Sequence, residues 1–456
     1  MKIRIAGFII IGLMLLAAPC RAADKDRFLD IQTVKGKSGV TAWLVEDHTL
    51  PIIAIEFAWR DAGTTLDPVD KQGLARLVAN TLDEGAGDLN AQAFQKALDD
   101  NSITLGFGAN RDYFTGSLKT LSRNSGKAFD LLHLALTSPR FEEEAIERMR
   151  RANISRVRSS MADPDWLGSR LLNATVFENH PYGFNSGGTL TTLKSITAAD
   201  MKSFPTAHLA LDNLVIGVSG DITPKDLAKA LDKIFNGLSK KNTAVTVQQA
   251  TLNSAGQIVS YEKDSSTQTV IQAMLPGVSR TDPDYYAFQV MNLVYGGSGF
   301  GSRLMEEVRE KRGLTYGIYS SPWNLDHFDG LSIGTSTENA NAGEVIKIIQ
   351  DEATRIAATP VSAPELDSAK SYLIGSLPLG LTSASAVAAT ALSLQLNHRP
   401  ADYLDSYAAK IESVDAAALQ RVAQRLMKPE AMTIIMVGKP TNITPTKTVT
   451  TLPNVE

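Results

Sequence analysis

The sequence predicts an α+β protein built as a tandem duplication of two homologous α/β-sandwich domains, each a mixed or antiparallel sheet covered by helices on one face. Three observations predict it. The chain has 456 residues, 43% of them hydrophobic, enough for two or more ordinary domains. Short apolar runs of strand period alternate with longer runs of helical period. Finally, landmarks recur roughly 215 to 220 residues apart, the mark of an internal repeat. IIAIEFAWRDAG from Ile52 is echoed by TVIQAMLPGVSR from Thr269, and the helix after Asp70 by the one after Asp284. Residues 141–151 are echoed by 361–370, and LVIGVSG from Leu214 by TIIMVG from Thr433.

The N-terminus is expected to lie outside the fold. Lys2 and Arg4 precede an apolar run over residues 5–18, too short to span a bilayer comfortably but suited to a secretory leader. Small residues follow at Ala22 and Ala23, so residues 1–22 read as a signal peptide and the mature chain as periplasmic, with no membrane anchor after cleavage. Cys20 is the only cysteine, and Pro19 before it does not suit lipid attachment. Without Lys2, Arg4 and Arg21 the mature chain has 42 basic against 49 acidic side chains, and this mild acidity argues against nucleic acid as a partner.

Residues 23–236 form the predicted first domain. Residues 39–45 and 52–59 read as two strands around a turn at Asp47 and His48, and 73–81 as a helix. Residues 141–160 read as a long helix with Glu142, Glu143, Glu144 and Glu147 ahead of Arg148, Arg150, Arg151, Arg156 and Arg158. Acid first and base last suits the helix dipole and spaced ion pairs. That pattern fits a solvated face, or else an electropositive wall facing acidic peptide or a partner. The stretch 237–254, polar and rich in Lys, Thr, Gln and Asn, reads as a linker, residues 255–442 as the second domain and 443–456 as a tail.

The most informative stretch is YGGSGFGSRLMEEVREKRGLTYGIY, from Tyr295 to Tyr319. Gly296, Gly297, Gly299 and Gly301 form a loop lacking the dinucleotide and Walker spacings. Ser302 is placed to cap a helix over residues 303–312, Gly313 to end it in the left-handed region, and Leu314 to begin a strand of period two. A tight reversal at Gly313 brings the guanidinium of Arg309 and the phenol of Tyr316 to one surface. Taken alone, the two residues are equally consistent with Arg309 offsetting a helix dipole and Tyr316 filling a half-buried gap.

This block resembles the C-terminal half of the pitrilysin and mitochondrial-processing-peptidase family, whose zinc motif is inverted relative to the common one. The likeness extends weakly over nearly the whole chain after the leader. It implies that Arg309 and Tyr316 face the peptide carbonyl under attack, and that the glycine loop borders a chamber holding extended peptide. In the family, His-x-x-Glu-His on the first domain's helix binds zinc and activates water. Aligning on Gly73-Leu74-Ala75 puts Arg76 and Asn80 at the histidine positions and Ala79 at the base, with Ser155 and Arg156 near the third ligand. Arginine stays protonated, asparagine is a poor zinc ligand, and alanine has no proton to move. Six histidines are spread through the chain and no two share a helix face, so no metal is expected on it.

The sequence therefore predicts a zinc-free subunit of an exported heteromeric metallopeptidase. Arg309 and Tyr316 would stabilise the transition state at a zinc held by a homologous partner, the two forming a heterodimer around unfolded peptide, with this chain inactive alone. The alternative is a non-catalytic peptide-binding or assembly protein of the same fold.

Overall fold

The computed structural model describes residues 27–243, 245–263, 266–297, 301–452 and 455, so the leader lies outside the described residues. In the first half, strands β1 (Ile31–Lys35), β2 (Thr41–Glu46) and β3 (Ile52–Trp59) are followed by helix α1 (Leu74–Ala79), a ribbon of β4 (Gly85–Ala86) and β5 (Leu89–Asn90), and α2 (Ala91–Asp100). The hairpin β6 (Thr104–Ala109) and β7 (Phe114–Leu121) comes next. After it run α3 (Ser125–Thr137), α4 (Glu143–Ser160), α5 (Pro164–Val176), α6 (Thr192–Ser195), α7 (Ala198–His208), β8 (Leu214–Gly220) and α8 (Pro224–Ile234).

The second half repeats the plan with β9 (Ile258–Glu262), β10 (Gln268–Pro276) and α9 (Tyr285–Tyr295), then the hairpin β11 (Ile318–Leu325) and β12 (Phe328–Glu338). Helices α10 (Ala342–Ala358), α11 (Ala363–Ser376), α12 (Ala384–Leu396), α13 (Tyr403–Glu412) and α14 (Ala416–Leu426) lead to β13 (Thr433–Gly438) and β14 (Lys447–Val449).

The sheets run β1-β2-β8-β3-β7-β6 and β14-β9-β13-β10-β12-β11, so five strands of each correspond in order. Both are mixed, because β2 pairs parallel with β8 and β9 parallel with β13. The strands on either side of Asp47 are not neighbours, since β8 lies between them. The sixth position differs: β1 comes from the N-terminal side and runs antiparallel, whereas β14 comes from beyond residue 442 and runs parallel. The described residues of 237–254 carry neither helix nor strand beyond an isolated bridge of Ser239 to Ala210, yet the stretch is tied by Thr243 donating to the carbonyl of Ala207 (2.7 Å) and Ala250 to that of His327 (2.8 Å).

Helices cover one face of each sheet, as expected, but the other face is covered too. Along β3, Ile53, Ile55, Phe57 and Trp59 enter the main core of the first half, while Ala58 faces Leu392 of α12. Along β10, Ile271, Ala273 and Leu275 enter the core of the second half, while Val270 and Met274 face Leu167 and Leu171 of α5. Each half thus lends one helix to the sheet of the other. Burial on both faces explains why these central strands read as nearly unbroken apolar runs rather than alternating ones. The two hairpin tips also meet. Tyr182 is fully buried, donates to Asp112 (2.5 Å) and accepts from the N–H of His327 (3.0 Å), and the N–H of Asp326 donates to Asp112 (3.2 Å).

Candidate functional site

Helix α9 ends at Gly296, whose N–H donates to the carbonyl of Asn292 (3.0 Å). Gly296 and Gly297 are buried, and a Cβ on them would lie 2.7 Å from Ser320 Oγ and 2.6 Å from Leu293 Cα respectively. Close approach of the chain to itself therefore requires these two glycines. A Cβ on Gly301 would meet nothing within 4 Å, and Gly299 lies outside the described residues.

The expected helix over residues 303–312 is present over residues 303–310, with π rather than α geometry at Met305–Glu310. Leu304 and Val308 are fully buried beneath it, and Ser302 does not cap it, since its buried Oγ has no hydrogen-bond partner among the described residues. Arg303, at 7% exposure, instead forms a bidentate pair with Glu365 of α11 at 2.8 and 3.2 Å. The stop lies where the sequence puts it: Gly313 has φ +63°, its N–H donates to the carbonyl of Arg309 (2.8 Å), and that of Leu314 to Val308 (2.9 Å).

Strand β11 starts at Ile318, four residues later than the period-two pattern indicates. Threonine hydroxyls take the place of ladder bonds before it: Thr315 donates to the carbonyl of Ser336 (2.7 Å) and Thr337 to that of Leu314 (2.6 Å). The segment stands off the sheet and presents Tyr316, which is 90% exposed. Its ring is therefore not filling. The Arg309 guanidinium carbon lies 5.2 Å from the ring centroid, a cation–π contact, and Arg309 Nε is 3.8 Å from a Glu310 carboxylate oxygen.

The degenerate motif lies on α1. Gly73 precedes the helix with φ +93°, and the helix is capped from a distance by Asp67, which accepts the N–H groups of Gly73 (2.8 Å) and Ala75 (2.9 Å). Burial pushes the Asp67 carboxyl up to about 7. Arg76 and Asn80 face a cavity of about 280 Å³. Ala79, at the aligned base position, is 2% exposed and packs in the core. On the opposite wall, Asn153 and Arg156 of α4 face the cavity, whereas Ser155 is exposed elsewhere. Asn80 Nδ2 donates to Asn153 Oδ1 (3.1 Å), so Asn153 and not Ser155 meets the aligned ligand position.

Arg111 and Arg170 also line the cavity, and neither was legible in the sequence, since the β6–β7 turn and α5 bring them in from distant positions. The zinc that the family places here does not fit these residues. Four guanidinium groups repel a dication, and among the described residues no three His, Cys, Asp or Glu side chains come together. On α4, Arg148 pairs with Glu84 and Arg150 with Glu147. Arg150, 8% exposed, also donates to the carbonyl of Ile196 (2.8 Å). The helix is thus neither a wholly solvated face nor a uniform wall. Arg309 and Tyr316 line no part of the Arg76 cavity.

Residues 195–373 match the family profile described as the peptidase M16 inactive domain. The chain is 29% identical over 338 residues to the non-peptidase homolog YmxG of Helicobacter pylori, covering 73% of this chain and 77% of that protein. It is 25% identical over 388 residues to the uncharacterized zinc protease SCO5738 of Streptomyces coelicolor, covering 83% and 84%. The crystal structure of a peptidase M16 inactive domain from Pseudomonas fluorescens superposes with a TM-score of 0.84 at 26% identity, over 91% of this chain and all of that one. The chain is thus similar to M16-family proteins described both as non-peptidase and as zinc protease.

Proposed function

We propose that this chain is the zinc-free subunit of an exported two-chain metallopeptidase, in which Arg309 and Tyr316 stabilise the carbonyl oxygen of a peptide as it gains negative charge. One observation carries the reading: Tyr316 is 90% exposed while Arg309 is held 5.2 Å from its ring. An aromatic ring that contributes so little to packing, paired with a side chain carrying five N–H donors, is suited to an external ligand. The charged leader of Lys2 and Arg4 followed by an apolar run supports export. The zinc and the general base would belong to a homologous partner.

The test is to assay an unstructured fluorogenic peptide with the chain alone, and with the chain mixed with a zinc-bearing relative from the same cell. Chelator-sensitive cleavage is expected only in the mixture. Robust cleavage by the chain alone overturns the reading. A complex that forms without gain in turnover favours a peptide-binding or assembly role, to which the loss of the two histidine positions at Arg76 and Asn80 and of the base at Ala79 also points.

A further inference from the structure

The cavity at Arg76 is more than a lost metal site, because four arginines converge on it with no acidic side chain in its lining. Arg76 Nε donates to the carbonyl of Ala109 (3.1 Å), and Arg111 Nε to that of Tyr182 (3.3 Å). Arg170, 5% exposed, uses one terminal nitrogen on the carbonyl of Phe184 (2.9 Å). Arg156 reaches in from α4. None of the four forms an ion pair with a described residue, and the carbonyl bonds of Arg76, Arg111 and Arg170 use one N–H each, which leaves most of their donors not taken up by the described residues. The charges act on one another: burial, followed by Arg111 and Arg76, draws Arg170 down to about 9, still protonated at neutral pH. The acids nearby are engaged, Asp67 by the α1 amides and Asp112 by Tyr182 and the Asp326 N–H.

A second observation points to a ligand. Asn173 is 5% exposed and lines the cavity, and its buried Oδ1 has no hydrogen-bond partner among the described residues. A buried acceptor left in this way is unusual in a folded protein, and it calls for an N–H donor on the ligand, such as a peptide amide next to the bound carboxylate. Arg111, Ser169 and Asn173 also line an adjoining cavity of about 500 Å³, floored by Trp323, Ile333 and Gly334 of the β11–β12 hairpin. Arg111 is held over Trp323 at 5.5 Å, at the passage between a cationic recess and a mixed groove.

We propose that the recess at Arg76, Arg111, Arg156 and Arg170 binds a peptide carboxylate, with the flanking residues of that peptide lying in the groove over Trp323. Guanidinium groups recognise carboxylates through paired, charge-assisted hydrogen bonds. In the position where related chains hold a cation, this chain selects an anion. The assignment goes beyond the role of Arg309 and Tyr316 and does not depend on it. The carboxylate comes from an Asp or Glu side chain or from a free C-terminus, and the test separates the two.

Three peptides of one neutral sequence serve as probes: one blocked at both ends, one blocked but with a central Gln replaced by Glu, and one with a free C-terminal carboxylate. Binding to the purified full chain is measured by fluorescence anisotropy at low and high salt. At least one acidic probe is expected to bind tighter than the fully blocked one by on the order of tenfold or more. The preferred probe identifies the source of the carboxylate. Arg156→Gln, on the more exposed wall, is expected to remove most of this preference with an unchanged melting temperature. Arg309→Ala and Tyr316→Ala are expected to leave it intact. Equal affinity for all three peptides overturns the proposal. So does a preference that survives both Arg156→Gln and Arg76→Gln in variants that remain folded.

Discussion

The Arg309 guanidinium carbon lies 5.2 Å from the centre of the Tyr316 ring, and the two are joined across a reversal closed by Gly313 at φ +63°. Seven positions apart in sequence, they share one surface because a π-turn, a left-handed glycine and a hydroxyl-anchored segment follow one another without a gap. Removing the hydroxyl in Tyr316→Phe keeps the ring and the cation–π contact. The melting temperature should therefore stay unchanged. In the two-subunit complex, loss of one oxyanion donor should lower turnover on the order of a hundredfold to a thousandfold. Arg309→Lys should also impair turnover, because an ammonium does not reproduce the planar fork. Near-normal turnover in Tyr316→Phe would remove the catalytic role.

Restoring the motif should not restore the metal. In the triple variant Arg76→His, Ala79→Glu and Asn80→His, the opposite wall still presents Asn153 and Arg156, and the carboxyl introduced in place of Ala79 displaces a methyl group packed in the core. Metal analysis after dialysis against a weak chelator should find no stoichiometric zinc. Tight zinc binding by this variant would mean that α1 and its surroundings differ from the geometry described.

The Arg303–Glu365 pair predicts a pH dependence. Arg303 beside it holds the Glu365 carboxyl down to about 2, from an ordinary value of 4.5. A depressed folded pKa gives stability that is fully present above the unfolded value and lost as pH falls through the folded one, so the window runs from about pH 4.5 down to about 2. Glu365 is 36% exposed, so screening limits the contribution to roughly 1 kcal/mol. Glu365→Gln keeps a side-chain acceptor for the Ser362 N–H at the α11 start. It should lower stability near neutral pH and flatten the fall across this window, measured as urea midpoints at several pH values. An unchanged acid limb would assign it to other carboxylates.

The lent helices can be tested at Gly217. A Cβ there would lie 2.2 Å from the carbonyl oxygen of Ala388 and 2.6 Å from the amide of Leu392, both backbone atoms of α12. Gly217→Ala must displace α12 from the first sheet and should cost about 1–3 kcal/mol or more, with faster proteolysis around residues 384–396. Gly126→Ala on α3, where a Cβ meets nothing within 4 Å, is the matched control and should be neutral or stabilising by up to ~1 kcal/mol. Equal effects of the two substitutions would refute close packing of α12.

The sequence by itself determined what depends on residue type and local spacing. It placed the repeat through β3 and β10, and through β8 and β13, because apolar runs of matching length recur in matching order. It argued against zinc ligation at Arg76 and Asn80, because a guanidinium stays protonated and an amide is a poor ligand for zinc. It also set the reversal at Gly313, because only a residue without Cβ enters the left-handed region without strain. Tertiary structure decided everything that depends on distant contacts. Period-two patterning reports that a face is buried but not by what, so it could not reveal that α12 covers the first sheet and α5 the second. Helical spacing placed Arg156 on α4, but only packing brings it opposite Arg76, with Arg111 and Arg170 delivered by a turn and a helix far along the chain. The strand expected from Leu314 gave way to hydroxyl bonds from Thr315 and Thr337, which satisfy the carbonyls of Ser336 and Leu314 in place of ladder bonds. That competition, settled by residues on a neighbouring strand, is what leaves Tyr316 exposed.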